Sequence, residues 1–424
     1  MTTTVDTLRF TAGSVDDGKS TLIGRLLYDT KSILEDQLAS IENTTARRGH
    51  GGKLGIDLSL LTDGLTAERE QGITIDVAYR YFATLKRRFI IADTPGHEQY
   101  TRNMVTGAST ADLSLILVDA SKGLQTQSRR HAVIASLLGI RHVVIVINKM
   151  DLTNYSQRAF NRIRDEFIAF ARTLDFATID FIPVSALEGD MVVDRGAQLN
   201  WYLGPTLLEL LETSHAAETT MGEFRFPVQW VARTKFGNTA EFRGYMGRIE
   251  SGRVSVGDLV AVLPSGLTAR VQDIVTLDGS LVTAAAPQSV TLLLDTQIDI
   301  SRGDMFAHVD AQPEVTREIA ADLSWLCAQP LEMSRRYLIK HTTQTVRAHL
   351  QGIDYRLNVN TLARETGISR FQLNDIGRVR LKTLRPLMVD TYRTDRTTGS
   401  FILIDEVTNQ TVAAGMIVDG GRGG

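Results

Sequence analysis

The sequence has little of what disulfide-linked or membrane-spanning proteins need. Its 424 residues include one cysteine, Cys327, which excludes an internal disulfide. No apolar run approaches the roughly 18 residues of a membrane span, and the N-terminus lacks the basic-then-apolar pattern of a signal peptide. We therefore expect a cytoplasmic protein that does not enter a membrane.

An excess of basic charge is also missing. The formal net charge is −3, whereas sustained binding to a nucleic-acid backbone usually needs many unpaired Lys and Arg side chains. We expect no stable complex with nucleic acid. A chain of 424 residues is too long for one ordinary core and favours two or three domains.

The first 215 residues alternate short β-rich runs with stretches of helical period. This order predicts a doubly wound α/β domain, with a parallel sheet covered by helices. The predicted strands are Leu8–Ala12, Val77–Thr84, Phe89–Ala92, Leu113–Val118, Val143–Ile147 and Phe181–Val184, and the predicted helices are Ser20–Leu27, Gln127–Leu138 and Gln157–Leu174.

The pattern changes after a small, polar linker over 214–222. Short Val, Ile and Leu runs broken by turns at intervals of roughly ten residues favour small antiparallel β-barrels. A second break near Pro313 divides this part into two barrel-sized halves. We predict three domains: the α/β domain over 1–215, a β-barrel over 223–311 and a second β-barrel over 312–424.

A glycine-rich loop follows the first predicted strand and opens the first predicted helix. Backbone N–H groups and a helix N-terminus attract phosphate in this setting, a lysine reaches the outer phosphates, and a hydroxyl can ligate Mg²⁺. We assign those two roles to Lys19 and Ser20. A glycine turn without a ligand is the alternative, and the flanking strand and helix argue against it. The loop residues are Gly13, Ser14, Val15, Asp16, Asp17, Gly18, Lys19, Ser20 and Thr21.

Two further segments complete a Mg²⁺ and γ-phosphate site. Asp93, Thr94, Pro95 and Gly96 leave a strand at the carboxyl edge of the predicted sheet, where open α/β sheets bind ligands. Asp93 would hold Mg²⁺, and the Gly96 N–H would meet the γ-phosphate. Thr74 is the candidate switch residue, since a hydroxyl there can bind Mg²⁺ only while the γ-phosphate holds its segment. An ordinary strand threonine is the alternative.

A histidine directly follows the acidic turn. His97 is placed to orient or polarise the water that attacks the γ-phosphate. Only its position next to Gly96 favours this role over a structural one. The seven other histidines are interpreted as structural.

Two later segments predict which base is bound. Asn148, Lys149 and Asp151 follow a strand, and the Asp151 carboxylate can accept both the N1–H and the exocyclic amine of guanine. Adenine offers no matching pair, and a polar site strongly rejects such a mismatch. Ser185, Ala186 and Leu187 follow the next strand and would present a backbone N–H to guanine O6. The five elements together predict a P-loop GTPase that binds GTP or GDP with Mg²⁺.

These motifs carry a family resemblance. Asp93 to Glu98, Gly72 to Ile75 and two following β domains resemble the translation-factor GTPases typified by elongation factor Tu. Residues 16–29, 73–82 and 398–405 are more narrowly similar to the large GTPase subunit of bacterial sulfate adenylyltransferase, the CysN family, and the similarity covers essentially the whole chain. Gln71 departs from the arginine usual in that family, which puts any role for an arginine there in doubt.

The resemblance implies an activity that the motifs alone do not. In that family, GTP hydrolysis drives a separate small catalytic subunit, of the CysD type, which makes adenosine 5′-phosphosulfate and pyrophosphate from ATP and sulfate in a heterodimer or higher assembly. No second phosphate loop occurs in the sequence, so we expect a large subunit without a fused adenylylsulfate kinase.

Two alternatives remain. A translation elongation factor carrying aminoacyl-tRNA would form a salt-sensitive complex with tRNA. An assembly GTPase with no coupled enzyme would copurify with a partner without stimulating sulfate adenylylation.

Overall fold

The computed structural model of the chain describes residues 7–13, 16–33, 38, 56–61, 74, 76–215, 222–235 and 241–420. These residues form two compact units. The first holds the described residues up to 218 together with Val359–Leu362, and the second holds the remainder from 219 onward. The division into three domains at the predicted boundaries stays a prediction.

A six-stranded sheet forms the centre of the first unit, in the order β2-β3-β1-β4-β5-β6. All neighbouring strands are parallel except β2 and β3, which are antiparallel. The predicted α/β architecture is therefore confirmed. The strands are β1 (Thr7–Gly13), β2 (Ala78–Ala83), β3 (Arg88–Asp93), β4 (Leu113–Asp119), β5 (His142–Asn148) and β6 (Thr178–Pro183).

The apolar run of β4 is buried at every residue, as expected for a strand with helices on both faces of its sheet. The helices with described bounds are α1 (Lys19–Asp29), α2 (Thr101–Ala108), α3 (Thr126–Leu137), α4 (Gln157–Ala171) and α5 (Leu207–Thr213). Helix α2 is absent from the predicted helices, because its eight residues include two threonines and a glycine, which are weak helix formers.

The parallel strands bring the predicted motifs to one edge. Strands β1, β3, β4 and β5 run in the same direction and end at Gly13, Asp93, Asp119 and Asn148. The carboxyl ends of such strands form the ligand-binding edge of an open α/β sheet. The phosphate loop, the acidic turn and the base-recognition segment all begin there.

The second unit begins with a closed six-stranded antiparallel barrel. Its strand order is β10-β15-β7-β8-β14-β11, and β10 pairs with β11 to close it, while β12 extends the sheet and β9 pairs with β13. Large aromatic side chains fill the core, among them Phe226, Tyr245 and Phe306. The strands are β7 (Arg225–Lys235), β8 (Glu241–Arg248), β9 (Arg253–Ser255), β10 (Leu259–Leu263), β11 (Leu267–Thr276), β12 (Gly279–Leu281), β13 (Thr283–Ala285), β14 (Ser289–Leu294) and β15 (Met305–His308).

A second closed barrel follows in the same unit. Its order is β17-β21-β22-β16-β20-β18, closed by pairing of β17 with β18 and extended by β19. Trp325, Tyr337 and Phe371 lie in its core. The predicted pair of small antiparallel barrels is thus confirmed. The strands are β16 (Glu314–Trp325), β17 (Tyr337–His341), β18 (Gln344–Leu357), β19 (Arg364–Glu365), β20 (Ile376–Val389), β21 (Ser400–Asp405) and β22 (Thr411–Asp419).

A buried ion pair joins the two barrels. The Arg225 guanidinium donates to both carboxylate oxygens of Asp390, at 2.8 and 2.9 Å, and Asp390 also accepts a hydrogen bond from Thr398 Oγ1 at 2.6 Å. A two-pronged contact of this kind fixes orientation as well as distance.

No helix in the described part of the chain has the length and apolarity to span a membrane.

Candidate functional site: a nucleotide-binding edge

The predicted phosphate-loop lysine lies at the meeting point of three separate segments. Lys19 Nζ is 2.8 Å from Asp93 Oδ1 and donates hydrogen bonds to Thr74 Oγ1 at 2.7 Å and to the Thr94 carbonyl. Lys19 is only 6% exposed and Asp93 only 1%. The structure therefore brings the predicted phosphate, switch and metal residues together around one ammonium group.

A left-handed glycine precedes this lysine. Gly18 has φ +88°, and a Cβ there would lie 2.5 Å from the Asn148 side-chain nitrogen. Both the backbone angle and the close approach require glycine. Gly18 is the N-cap of α1, which begins at Lys19. Ser14 and Val15 lie outside the described residues.

The side chains assigned to Mg²⁺ supply oxygen donors only. Thr74 Oγ1 and Asp93 Oδ1 both contact Lys19 Nζ, and Ser20 follows Lys19 in the first turn of α1. Mg²⁺ prefers oxygen ligands and is usually held through one or two carboxylates together with substrate phosphate. The oxygen donors of Ser20, Thr74 and Asp93 therefore fit Mg²⁺.

The acidic turn is fixed to the end of β1. The Thr94 backbone N–H and hydroxyl both donate to the Ala12 carbonyl, at 3.2 and 2.9 Å. Gly107 in α2 lies so close that a Cβ there would be 2.5 Å from the Thr94 methyl carbon. Thr94 thus supports the turn, and the buried Pro95 and Gly96 follow it.

His97 follows this turn immediately and is half-buried. Its carbonyl accepts a hydrogen bond from Tyr100 N at 3.0 Å, which starts the 3-10 helix Glu98–Tyr100. The short helix fixes the backbone beside Gly96. The role of His97 in orienting water remains a prediction.

A second histidine contacts the phosphate loop. His131 in α3 is 2% exposed, and its Nδ1 lies 3.1 Å from where a Cβ on Gly13 would be. Burial, reinforced by the Lys19 charge, lowers the pKa of His131 to about 4, although hydrogen bonding to the Gly13 and Gly96 backbone acts in the opposite direction. The imidazole is therefore neutral near pH 7 and packs against Gly13 of the phosphate loop. From sequence, His131 is among the histidines interpreted as structural, and no local pattern sets it apart from them.

The base-recognition segment also holds the phosphate loop. Asn148 Nδ2 donates to the Asp17 carbonyl at 2.7 Å, and Lys149 Nζ donates to the Asp16 carbonyl at 2.6 Å. Lys149 Nζ also forms an ion pair with Asp119 Oδ2 at 2.9 Å. Asp119, which ends β4, is not among the predicted site residues. Its position at the carboxyl end of a predicted strand is the signal that sequence offers.

Asp17 is a buried carboxylate close to a second carboxylate, Asp119. It is 5% exposed. Burial and the neighbouring Asp119 carboxylate raise its pKa, Lys149 and Lys122 act to lower it, and the net pKa is about 7. Asp17 therefore titrates near neutral pH inside the phosphate loop.

The predicted guanine-reading carboxylate is oriented by the next segment. Ser185 Oγ donates to Asp151 Oδ1 at 2.6 Å. Ser185 N donates to the Asp190 carbonyl at 3.1 Å, and Ala186 N donates to Asn148 Oδ1 at 3.0 Å. The backbone N–H that would meet guanine O6 stays a prediction for the Ser185–Leu187 segment.

Two parts of the chain match known protein families. Residues 8–218 match the family described as elongation factor Tu GTP binding domain, and residues 318–418 match the GTP-eEF1A C-terminal domain-like family. Among solved structures, sup35 complexed with GDP covers 98% of this chain and 94% of that chain at 23% identity, with a TM-score of 0.43. That structural likeness is too low to add to the assignment.

Two curated relatives are much closer in sequence. The bifunctional enzyme CysN/CysC of Mycobacterium tuberculosis is 56% identical over 410 residues, which are 96% of this chain and 66% of that protein. Sulfate adenylyltransferase subunit 1 of Shewanella oneidensis is 54% identical over 419 residues, which are 97% of this chain and 85% of that protein. The chain therefore belongs to the sulfate adenylyltransferase subunit 1 family, and its first unit is a guanine-nucleotide-binding domain of the elongation factor Tu type.

Proposed function

We propose that this chain is the GTP-hydrolysing subunit of a sulfate adenylyltransferase. It would act with a catalytic subunit of the CysD type, which makes adenosine 5′-phosphosulfate and pyrophosphate from ATP and sulfate. The names of the relatives support the reaction and a partner subunit. The observation that carries the GTPase part is the convergence of Lys19, Thr74 and Asp93 on one buried point.

We assign the phosphate end of the nucleotide to Lys19 and the backbone of the loop over 13–20. Ser20, Thr74 and Asp93 would hold Mg²⁺, which when bound neutralises phosphate charge. Thr74 lies outside the loop and helix assigned to the nucleotide. Its contact with Mg²⁺ can therefore depend on whether the γ-phosphate is present. His97 would orient the attacking water beside Gly96.

The base end is assigned to Asp151 and to the Ser185–Leu187 segment. The Ser185 hydroxyl fixes one oxygen of Asp151 at 2.6 Å, so the carboxylate is held before the base arrives. Pre-organised acceptors of this kind favour a ligand with matching donors. Guanine has such a donor pair and adenine does not.

Coupling would operate as conformational linkage. A nucleotide state can drive the partner's reaction only if it favours a different conformation of the complex. We propose a heterodimer or higher assembly in the cytoplasm, where a chain with one cysteine fits the reducing conditions. The chain spans 66% of the length of the bifunctional relative.

Reconstitution with a CysD-type subunit tests the function. Adenylylsulfate formation from ATP and sulfate should require GTP and should not be supported by GDP. Equal rates with and without GTP would remove the coupling role. A stable, salt-sensitive complex with aminoacyl-tRNA would instead favour a translation factor, which the net charge of −3 and the named relatives disfavour.

A further inference from the structure

Three hydrogen bonds connect the proposed guanine-reading carboxylate, Asp151, to Ser185, Asp190 and Tyr155 in turn. The Tyr155 hydroxyl donates to Asp190 Oδ2 at 2.8 Å, and the Asp190 carbonyl accepts from Ser185 N at 3.1 Å. Ser185 Oγ then donates to Asp151 Oδ1 at 2.6 Å. Since Asp151 and Tyr155 belong to the same short loop, the four residues form a complete circuit between two loops.

The loop that carries Asp151 and Tyr155 has an unusual backbone. Asn154 and Tyr155 have φ angles of +51° and +55°. These angles lie in the left-handed region, which residues other than glycine rarely adopt. Such a conformation persists only when surrounding contacts hold it. Tyr155 N donates to the Met150 carbonyl at 2.8 Å, and Trp201 Nε1 donates to the Tyr155 carbonyl at 2.9 Å.

The opposite side of the circuit is buried. Ser185 is 0% and Asp190 is 6% exposed, and a Cβ at Gly196 would collide with Asp190 Oδ1. Asp190 therefore has little room to move. Because water has little access there, replacing the Tyr155 hydroxyl would leave an oxygen of Asp190 without a donor that water can easily supply.

We infer that Tyr155 and Asp190 are positioning residues for guanine discrimination. They keep the Asp151 carboxylate and the Ser185–Leu187 segment at the separation that one guanine edge requires. This inference rests on the proposed assignment of Asp151 to the base. Neither Tyr155 nor Asp190 touches the nucleotide in this account; both act through Ser185.

The circuit lies at the proposed base end of the nucleotide. The proposed phosphate-binding loop is held separately, by Asn148 and Lys149, which donate to the Asp17 and Asp16 carbonyls. Removing the hydrogen bond between Tyr155 and Asp190 should therefore leave phosphate binding largely intact and weaken base recognition. The sensitive comparison is GDP against IDP, whose base lacks the exocyclic amine that Asp151 would accept.

Tyr155→Phe and a matched tyrosine variant test the inference. The Tyr202 hydroxyl donates to the Phe181 carbonyl at 3.0 Å, and its ring also contacts Trp201. Tyr202→Phe removes a hydroxyl from the same domain but lies outside the circuit. In the full chain, Tyr155→Phe should reduce the GDP-to-IDP affinity ratio about fivefold to tenfold, the effect of about one hydrogen bond. Tyr202→Phe should retain the wild-type ratio.

Asp190 supplies a second variant pair. Asp190→Asn keeps an oxygen that can accept from Tyr155 and should retain most of the discrimination, whereas Asp190→Ala should lose as much as Tyr155→Phe. A folded Tyr155→Phe or Asp190→Ala protein with the wild-type ratio would overturn the inference, as would equal losses in Tyr202→Phe. If wild-type protein itself bound GDP, IDP and ADP equally, the proposed base site would be wrong.

Discussion

The Lys19 ammonium lies 2.8 Å from Asp93 Oδ1, and the two side chains are 6% and 2% exposed. A buried charge pair of this kind costs desolvation energy, and removing one partner leaves the other uncompensated. The same two residues come from the phosphate loop and the acidic turn. Their contact therefore links nucleotide binding to the stability of the sheet edge.

Lys19→Ala should reduce the affinities for GDP and GTP together. The variant loses the charge that we propose contacts the outer phosphates, and a loss of about 100-fold or more corresponds to about 3 kcal/mol. Titration with fluorescent nucleotides measures the effect. Lys86→Ala is the matched control, because Lys86 pairs with Glu212 at 2.7 Å on the surface. Unchanged affinity in folded Lys19→Ala protein would contradict the phosphate assignment.

Thr74→Ala should separate the two nucleotide states. If the Thr74 hydroxyl binds Mg²⁺ only with a γ-phosphate present, GDP affinity should stay within about twofold of wild type. The binding of a non-hydrolysable GTP analogue and its dependence on Mg²⁺ should both weaken. Parallel losses of GDP and GTP-analogue affinity would mean that Thr74 is a structural residue.

Asp151→Asn should shift base preference from guanine towards xanthine. The introduced amide can donate to the xanthine carbonyl that replaces the exocyclic amine, whereas the native carboxylate can only accept. Competition between GDP and XDP measures the shift. Ser185 can still donate to the oxygen of the introduced amide, so the fold should be preserved. Persistent preference for GDP would place the native carboxylate away from the base.

Asp17 should make stability fall as pH rises from about 4 to about 7. Its folded-state pKa is about 7, whereas an unfolded aspartate titrates near pH 4. Between these values the folded state holds a proton that the unfolded state releases, so the free energy of unfolding decreases with rising pH. At pH 8 the penalty is at most about 4 kcal/mol.

Asp17→Asn should remove that penalty. Relative to wild type, the variant should gain stability as pH is raised from 5 to 8 in denaturant unfolding without nucleotide. Asp278→Asn, at an exposed turn, serves as the control. A constant difference between wild type and Asp17→Asn across this range would show that the Asp17 carboxylate is ionised throughout.

Much of this arrangement could be predicted from sequence, because strand and motif signals are local. Alternating β and helical segments predicted every strand of the first sheet within a few residues, and the ends of parallel strands placed Lys19, Asp93 and Asn148 at one edge. The regular spacing of turn residues after the linker predicted the two antiparallel β-barrels. These features depend on periodicity and on the general geometry of parallel sheets.

Contacts between loops could not be predicted in the same way. Lys149 binding to Asp16 and Asp119, the approach of His131 to Gly13, and the Tyr155–Asp190 hydrogen bond all depend on strand order and loop path. Nothing in the local pattern distinguishes His131 from an ordinary core histidine. The antiparallel β2–β3 pair also lies outside the expected parallel pattern.

The most direct test of the central claim is a reconstituted mixture in which GDP and adenylylsulfate formation are measured together. His97→Ala should retain GTP binding and association with the CysD-type subunit, while losing most partner-stimulated hydrolysis. His349→Ala, on an exposed position of β18, is the control. If hydrolysis drives the partner, both product rates should fall together in His97→Ala and stay at wild-type levels in His349→Ala. A variant that barely hydrolyses GTP yet sustains wild-type net adenylylsulfate synthesis would contradict the account.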